Sequence, residues 1–181
     1  MSKLKIRKYF LKKRDEISVK ERILLSSRIN RNLLQQEEFI IAKNIASFKT
    51  FRNEPQLTQA KKKFYFYPKI VNSELSFHSD KKGFKPNRHG IEEPIEKQSI
   101  LLHKIDIFLV PLISFNENLH RIGFGGGYYD RTLKHLLQND NKPKFWGIGY
   151  DFQLSESNFE SKFDVRLDKV ISDKKVYVSK I

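Results

Sequence analysis

The sequence contains no cysteine among its 181 residues. Disulfide bonds, thiolate nucleophiles and cysteine-based zinc sites are therefore excluded. It also lacks an apolar run that could cross a bilayer, because the best candidate, 105–113, is interrupted by Asp106 and Pro111. The basic amino terminus has neither the apolar stretch nor the small-residue cleavage site of a signal peptide. These absences lead us to expect a protein that stays in the cytoplasm and does not enter a membrane.

Positive charge is abundant, and the formal net charge at neutral pH is +14. Three interpretations are open at this point: binding of nucleic acid through its phosphates, concentration of a small polyanion at a cleft, or ordinary lysine-rich surfaces. Hydrophobic residues make up 39% of the chain, which is too apolar for a disordered protein. The length suits one domain over residues 1–181.

Helical and strand patterns alternate along the chain. Apolar residues at helical spacing predict a helix over 3–16, and Ser18 with Glu21 forms a capping-box pattern that begins a second helix reaching about residue 36. A short polar helix is predicted at 56–62, and a further helix follows the glycine cluster and ends near residue 138.

Predicted strands occupy the segments 44–49, 64–67, 74–79, 105–110, 112–115, 145–150, 168–171 and 176–178, the last at a sheet edge. Pro68 is expected to end the second of these strands, and 80–97 is expected to be a loop. Strands that alternate with helices predict an α/β layered domain with a largely parallel sheet.

Half of the eight glycines lie at 123, 125, 126 and 127, between a predicted strand and a predicted helix. Glycine lets backbone N–H groups approach an anion above a helix start, although a flexible hinge is the alternative. Arg121 and Arg131 flank the cluster and favour phosphate binding. The Rossmann, kinase and P-loop patterns do not match, because Tyr128 replaces a required glycine and no Gly-Lys-Ser or Gly-Lys-Thr is present.

Cations and a carboxylate elsewhere in the chain suit an anionic ligand. Lys3, Arg7 and Arg14 lie on one side of the first helix, aimed into a cleft or simply extended along an apolar seam. Glu54 follows the first strand, at the end where α/β folds bind ligands. Asp130 is placed to reach a Mg²⁺ ion that bridges phosphates. The five histidines have no metal-ligand spacing, so no role is predicted for them.

The segment RIGFGGGYYDR at 121–131, preceded by DIFLVPLISFN at 106–116, resembles the signature of the 5-formyltetrahydrofolate cyclo-ligases, also called 5,10-methenyltetrahydrofolate synthetases. KLKIR at 3–7, followed by Arg14 and Ser18, is similar to the family's Lys-x-x-x-Arg opening. Further matching pieces occur in the family's order at Glu54, Tyr67-Pro68, 90–94, 147–153 and Asp168. The resemblance covers nearly the whole chain.

The resemblance implies ATP-dependent cyclisation of 5-formyltetrahydrofolate to 5,10-methenyltetrahydrofolate, with release of ADP and phosphate. The formyl oxygen would be phosphorylated and then displaced by attack of N10. The implied fold is a three-layer αβα domain of the sugar-phosphate isomerase and CoA-transferase kind. The implied partners are ATP, Mg²⁺ and the folate, with or without a polyglutamate tail, bound by a monomer that needs no specific nucleic acid and no membrane.

The family pattern also implies residue roles. Residues implied to bind ATP are Lys3, Arg7, Arg14, Arg121, Ile122, Gly123, Phe124, Gly125, Gly126, Gly127, Tyr128 and Tyr129. Residues implied to bind the folate are Glu54, Tyr67 and Tyr128. Arg121 and Tyr128 are implied to be catalytic, and Asp130 and Asp168 to hold Mg²⁺.

One feature departs from the family pattern. Only thirteen residues separate Glu54 from Pro68, where a longer, helix-bearing crossover is expected, so either part of the sheet is predicted to be exposed or the substrate side to be looser. Two other functions stay open. One is a basic RNA-binding module that carries a glycine turn, and the other is an ATP-using enzyme with a non-folate substrate.

Overall fold

The computed structural model describes residues 1–138 and 141–179. Its α-helices are α1 (Lys3–Asp15), α2 (Val19–Leu34), α3 (Glu37–Ile41) and α4 (Tyr128–Lys134). Its first strands are β1 (Asn44–Ala46), β2 (Phe64–Val71), β3 (Glu74–Ser79), β4 (Phe84–Pro86), β5 (Glu92–Pro94) and β6 (Ser99–Ile100). The later strands are β7 (Ile107–Pro111), β8 (Ser114–Asn116), β9 (Arg121–Ile122), β10 (Lys144–Ile148), β11 (Leu154–Ser155), β12 (Lys169–Ile171) and β13 (Val176–Val178). Short 3-10 turns occupy Leu102–Lys104 and Asp151–Gln153.

An eight-stranded sheet organises the molecule, in the order β13-β12-β10-β7-β1-β2-β3-β6. The five central strands, from β12 to β2, run parallel, whereas β13, β3 and β6 are antiparallel to their neighbours. The predicted, largely parallel sheet is therefore confirmed. Two small sheets accompany it, one with the order β11-β8-β9 and one made of β4 and β5.

Apolar clusters fill both sides of this sheet and make three layers. On one face, α2 and α3 bury Ile29, Leu33 and Phe39 against strand residues that include Trp146. On the other face, Leu133 of α4 packs in a cluster that also holds residues of β3, β7 and β10. A third cluster joins α1 to the β8-β9 hairpin and so places α1 beside the segment that leads into the glycine loop. The predicted αβα layering is confirmed.

The helix starts follow the sequence signals. The hydroxyl of Ser18 accepts from the Glu21 backbone N–H, and the Glu21 carboxylate accepts from the Ser18 N–H, as in a complete capping box. The predicted bounds of β3 and β13 are confirmed, and β13 lies at the sheet edge. The helix after the glycine cluster ends at Lys134, four residues before the predicted end.

The prediction that Pro68 ends its strand is wrong, because β2 continues to Val71. β1 pairs with β2 only as far as Phe66, so no strand of the described segments lies on that side of β2 at Pro68. Backbone groups of Phe64 and Phe66 point toward β1, and the Pro68 nitrogen, two residues on, points the same way. The absent N–H of proline therefore costs no ladder hydrogen bond there.

The predicted helix at 56–62 is also wrong, because the crossover from β1 to β2 contains no helix. Side chains of α2 hold this crossover in an extended form. Ser26 accepts from the Gln56 N–H, while Asn30 donates to the Gln56 carbonyl and accepts from the Thr58 N–H. These side chains satisfy backbone groups that a helix would otherwise pair.

Two further segments differ from prediction. The predicted loop at 80–97 contains the β4-β5 hairpin, and the extension predicted at 112–115 turns away from β7 to form β8 in a separate sheet. Gln153 fixes this turn, because its side-chain amide donates to the carbonyls of Leu112 and Ile113. That corner brings the end of β7 next to α1.

Candidate active site

In the glycine loop, Gly123 to Gly127, the backbone N–H groups are free to bind a ligand, whereas two of the carbonyl groups accept hydrogen bonds from arginine side chains. Arg7 Nε donates to the Gly123 carbonyl at 2.8 Å, and Arg131 Nη2 donates to the Gly126 carbonyl at 2.7 Å. Among the described residues, no backbone N–H from 123 to 127 donates a hydrogen bond within the protein. Gly125 and Gly127 have positive φ angles of 105° and 67°, which glycine tolerates best. The loop therefore offers donors and cations to an anion.

Arg121, at the entry of the loop, is buried and held in place. Its Nη1 lies 3.1 Å from Asp130 Oδ1 and also donates to the Val165 carbonyl. The same carboxylate oxygen accepts from the Val165 N–H at 2.9 Å. The guanidinium also lies over the ring of Tyr129, 5.8 Å from its centroid. Arg121, predicted to bind ATP, and Asp130, predicted to hold Mg²⁺, thus form one ion pair that ties the loop to α4.

Arg14 and Glu54 form a buried ion pair behind the loop. Arg14 Nη1 lies 3.7 Å from Glu54 Oε1 and donates to the Leu112 carbonyl at 3.2 Å. Glu54 Oε2 accepts from the Phe51 N–H. Burial raises the pKa of Glu54 to about 7, against the opposing pull of Arg14. The family resemblance assigns Arg14 to ATP and Glu54 to the folate, whereas the structure places the two side chains together.

Aromatic side chains surround this ion pair. Phe124, at the tip of the glycine loop, packs edge-to-face against Phe51, with 5.8 Å between ring centroids. The Arg14 guanidinium lies 5.4 Å from the Phe124 ring centroid. Burial raises the pKa of Tyr129, and so does the nearby charge of Glu54. Phe51 was not singled out from the sequence, and its only signal was its position three residues before Glu54.

Tyr67 lines a different cavity, of about 250 Å³, under the helix-free crossover. Its hydroxyl accepts from Gln59 Nε2, and its ring packs edge-to-face on Phe84. Lys49 lines the same cavity with its amine 4.2 Å from the Phe84 centroid. No glycine-loop residue lines this cavity, although Thr50, which borders it, hydrogen-bonds to the residue after Glu54.

Three other predicted site residues have structural partners. Lys3 pairs with Asp164, and the Ile122 side chain lies in the apolar cluster under α1. The Tyr128 ring packs on the apolar cluster beside α4, with the Arg131 guanidinium 5.2 Å from its centroid.

The two aspartates predicted to share a metal do not share a contact in the structure. Asp168 accepts from the Phe145 N–H and pairs with Lys142, whereas Asp130 binds Arg121 and the Val165 N–H. Within 1–138 and 141–179, no group of three or more His, Cys, Asp or Glu side chains is arranged to hold a metal. A joint role for Asp130 and Asp168 stays a prediction.

Comparison with known proteins identifies the family to which the chain belongs. The model of the 5-formyltetrahydrofolate cyclo-ligase family matches residues 1–173. The chain belongs to this family. A 5-formyltetrahydrofolate cyclo-ligase from Mycoplasma pneumoniae is 32% identical over 190 residues, covering 96% of this chain and 99% of that protein. One from Mycoplasma genitalium is 34% identical and covers 94% and 98%. The chain is therefore a ligase, as the sequence resemblance implied.

Solved structures of cyclo-ligase relatives have the same fold. A 5,10-methenyltetrahydrofolate synthetase from Mycoplasma pneumoniae superposes with a TM-score of 0.76 at 29% identity, over 96% of this chain and 99% of that one. The synthetase from Aquifex aeolicus superposes with a TM-score of 0.84 at 29% identity, over 100% and 94%. Within residues 1–138 and 141–179, no helix of this chain is long and apolar enough to cross a bilayer.

Proposed function

We propose that this protein converts 5-formyltetrahydrofolate to 5,10-methenyltetrahydrofolate at the expense of ATP, releasing ADP and phosphate. The observation that carries the proposal is the glycine loop, whose amides from 123 to 127 are open while Arg7, Arg121 and Arg131 surround it. Backbone N–H groups together with arginine side chains suit a phosphate chain. Family membership supplies the folate as the second substrate.

The chemistry requires activation of the formyl oxygen, since an amide oxygen leaves poorly. The γ-phosphoryl group passes from ATP to that oxygen, so its P–O bond to ADP breaks and a P–O bond to the formyl oxygen forms. N10 then attacks the formyl carbon and loses its proton, and the C–O bond breaks to release phosphate. The loop amides and Arg121 would stabilise the charge of the transferring group, which is the main contribution an enzyme makes to phosphoryl transfer.

Mg²⁺ is proposed to arrive with ATP. Both contacts of Asp130 fall on Oδ1, so Oδ2 has no hydrogen-bond partner among the described residues. One carboxylate beside a phosphate site fits a Mg²⁺ ion held mainly by nucleotide oxygens and water. When bound, the ion would neutralise charge on the phosphates, while Asp130 would fix its position next to the loop.

The assay mixes the protein with 5-formyltetrahydrofolate, ATP and Mg²⁺ and follows the absorbance of the methenyl product. We expect product only when ATP is present. Stabilisation by ATP without product would indicate an ATP-using enzyme with another substrate. Salt-dependent RNA binding without any response to ATP would indicate the RNA-binding alternative.

A further inference from the structure

The side chain of Arg131 is held between two backbone carbonyl groups from different parts of the fold. Its Nη2 donates to the Gly126 carbonyl at 2.7 Å, and its Nε donates to the Ser73 carbonyl at 2.8 Å. Ser73 lies in the two-residue turn between β2 and β3, where its φ is 68°. The guanidinium therefore joins the glycine loop to that turn, and both Nε and Nη2 are occupied by groups of the protein.

A buried contact keeps α4, which carries Arg131, beside the same turn. The Leu75 N–H donates to Thr132 Oγ1 at 2.8 Å, and this hydroxyl in turn donates to the Tyr128 carbonyl at 2.8 Å. Thr132 is only 1% exposed. Because Thr132 follows Arg131 in the helix, this contact fixes the backbone of Arg131 relative to β3. The guanidinium can therefore hold the glycine loop against a rigid part of the sheet.

The contact with the Gly126 carbonyl sets the direction of the next N–H group. In a trans peptide the C=O and the following N–H lie in one plane and point in opposite directions. When Arg131 binds the Gly126 carbonyl, the Gly127 N–H points away from the guanidinium. In the described part of the chain that N–H has no hydrogen-bond partner. Half a turn of this peptide would replace the N–H with a carbonyl oxygen, which repels an anion.

Glycine on both sides of this peptide allows it to rotate. Neither Gly126 nor Gly127 has a Cβ that restricts the backbone, and Gly127 has a φ of 67°. A Cβ at Gly127 would lie 2.7 Å from Arg131 Nη1, so the absence of a side chain also makes room for the guanidinium. The glycines permit the observed conformation without enforcing it, and Arg131 is the side chain that holds this peptide in place.

We propose that Arg131 is a positioning residue for nucleotide binding. By holding the Gly126 carbonyl, it keeps the peptide between Gly126 and Gly127 in the orientation whose N–H is open to a phosphate group. The inference rests on the proposed function for the identity of the ligand. It gives Arg131 a task other than direct contact with phosphate, and it makes the turn between β2 and β3 the anchor of the loop.

Kinetics of two variants test this role. Arg131→Met removes both donors and keeps an unbranched side chain. Lys134→Met is the matched control, because Lys134 is an exposed cation of the same helix whose side chain has no partner among the described residues. If only a fraction of the loops hold the correct peptide orientation, the KM for ATP rises by the reciprocal of that fraction, while kcat at saturating ATP is unchanged.

We expect the KM for ATP to rise about tenfold in Arg131→Met, the effect of one hydrogen bond to a charged group, and less than about twofold in Lys134→Met. The kcat of both variants should stay within about twofold of that of the unmodified protein. Equal KM values for ATP in the two variants would overturn the proposal. So would a fall in kcat at an unchanged KM, which would make Arg131 a group that acts in the transition state.

Nuclear magnetic resonance examines the loop before any nucleotide is added. The chain has eight glycines, so protein labelled with ¹⁵N at glycine gives a spectrum in which Gly127 can be followed. Its amide signal should be sharp in the unmodified protein and in Lys134→Met, and broadened by microsecond-to-millisecond exchange in Arg131→Met. An unchanged signal of Gly147, within β10, would show that the sheet of the variant is intact.

ATP should sharpen the Gly127 signal of Arg131→Met, because it selects one peptide orientation. A signal without exchange broadening in Arg131→Met would overturn the proposal, and a raised KM for ATP with such a signal would assign Arg131 to direct contact with phosphate. Broadening that persists in saturating ATP would also overturn it. If ATP sharpens the signal but no methenyl product forms, the proposed function fails while the role of Arg131 stands.

Discussion

Glu54 illustrates how burial changes the chemistry of a single side chain. Its carboxyl group is buried against Arg14, and the folded protein raises its pKa from 4.5 to about 7. The folded state therefore holds the proton more tightly than the unfolded chain does. It follows that Glu54 contributes stability below pH 4.5 and that this contribution is lost as the pH rises toward 7.

The pH dependence of stability should reveal this group. Between pH 4.5 and 8, the unfolding free energy of the unmodified protein should fall relative to that of Glu54→Gln by up to about 3 kcal/mol. Arg14 stays charged throughout this range, and the histidines are common to both proteins, so the difference isolates Glu54. Urea unfolding at several pH values measures it. Parallel curves would show that Glu54 titrates normally.

Turnover should depend on Arg121, whose guanidinium ties Asp130 and Val165 to the glycine loop. Arg121→Ala is expected to lower kcat by about 100-fold, the usual effect of removing one group that stabilises a transition state. Lys62→Ala, at an exposed position of the crossover, is expected to leave kcat unchanged. Equal kcat values for the two variants, measured with methenyl absorbance, would contradict the role of Arg121.

Individual contacts of the site were only partly predictable from sequence. Arg121 and Asp130 are close in sequence, and their residue types suggested a phosphate and metal site. Arg14 and Glu54 are forty positions apart, and their pairing depends on the corner after β7, which no local pattern encodes. Phe51 was missed because an aromatic residue in a turn has no distinctive spacing.

At the scale of elements, the glycine loop has two positions, Gly126 and Gly127, where a side chain would collide with its surroundings, and at Gly126 the collision is with an aromatic ring. A Cβ at Gly126 would lie 2.4 Å from Tyr128 Cε2, while one at Gly123 would meet no atom within 4 Å. Gly126→Ala should displace the Tyr128 ring and lower kcat/KM for ATP by about 100-fold, as small misplacements in active sites do. Gly123→Ala should have a clearly milder effect in the same steady-state assay, and the opposite ranking would contradict the loop geometry.

The start of α2 depends on its capping box. Ser18→Ala removes the acceptor for the Glu21 N–H and should destabilise the protein by about 1 kcal/mol. Ser27→Ala is a suitable control, because the Ser27 hydroxyl is exposed and only bonds back to the Leu24 carbonyl. Urea unfolding of both variants tests the expectation, and an equal loss of stability would show that the cap contributes nothing.

Elements with strong local signals were predicted well, and those decided by tertiary partners were not. The capping box at Ser18 and the alternating residues of β3 encode their own structure. Residues 56–62 have helical composition, yet Ser26 and Asn30 of α2 satisfy their backbone instead. The sequence predicts that the strand ends at Pro68, because it does not show that β1 stops two residues earlier in register.

At the scale of the whole molecule, the net charge of +14 should act on encounter with anionic substrates. Raising the salt concentration shortens the Debye length from about 10 Å at 0.1 M to about 3 Å at 1 M. We therefore expect the KM for ATP to rise across this range while kcat changes little. Steady-state kinetics at several salt concentrations test this. A constant KM would show that the positive charge does not assist ATP binding.

The overall architecture was predictable because alternating strands and helices allow few layered arrangements, and the segment at 121–131 narrowed them to one family. We propose that the protein is a monomer, as the family pattern implies. Sedimentation of the purified protein at several concentrations tests this, and a mass of two chains would refute it.

The helix-free crossover between β1 and β2 is expected to open locally more easily than the sheet. Its backbone is fastened by a few side chains, notably Ser26, Asn30 and Tyr65, rather than by a repeating ladder. Such a segment can detach without unfolding the sheet, so its amides should exchange with deuterated solvent long before those of β7 and β10. The roof of the cavity lined by Tyr67 would then lift independently of the glycine loop.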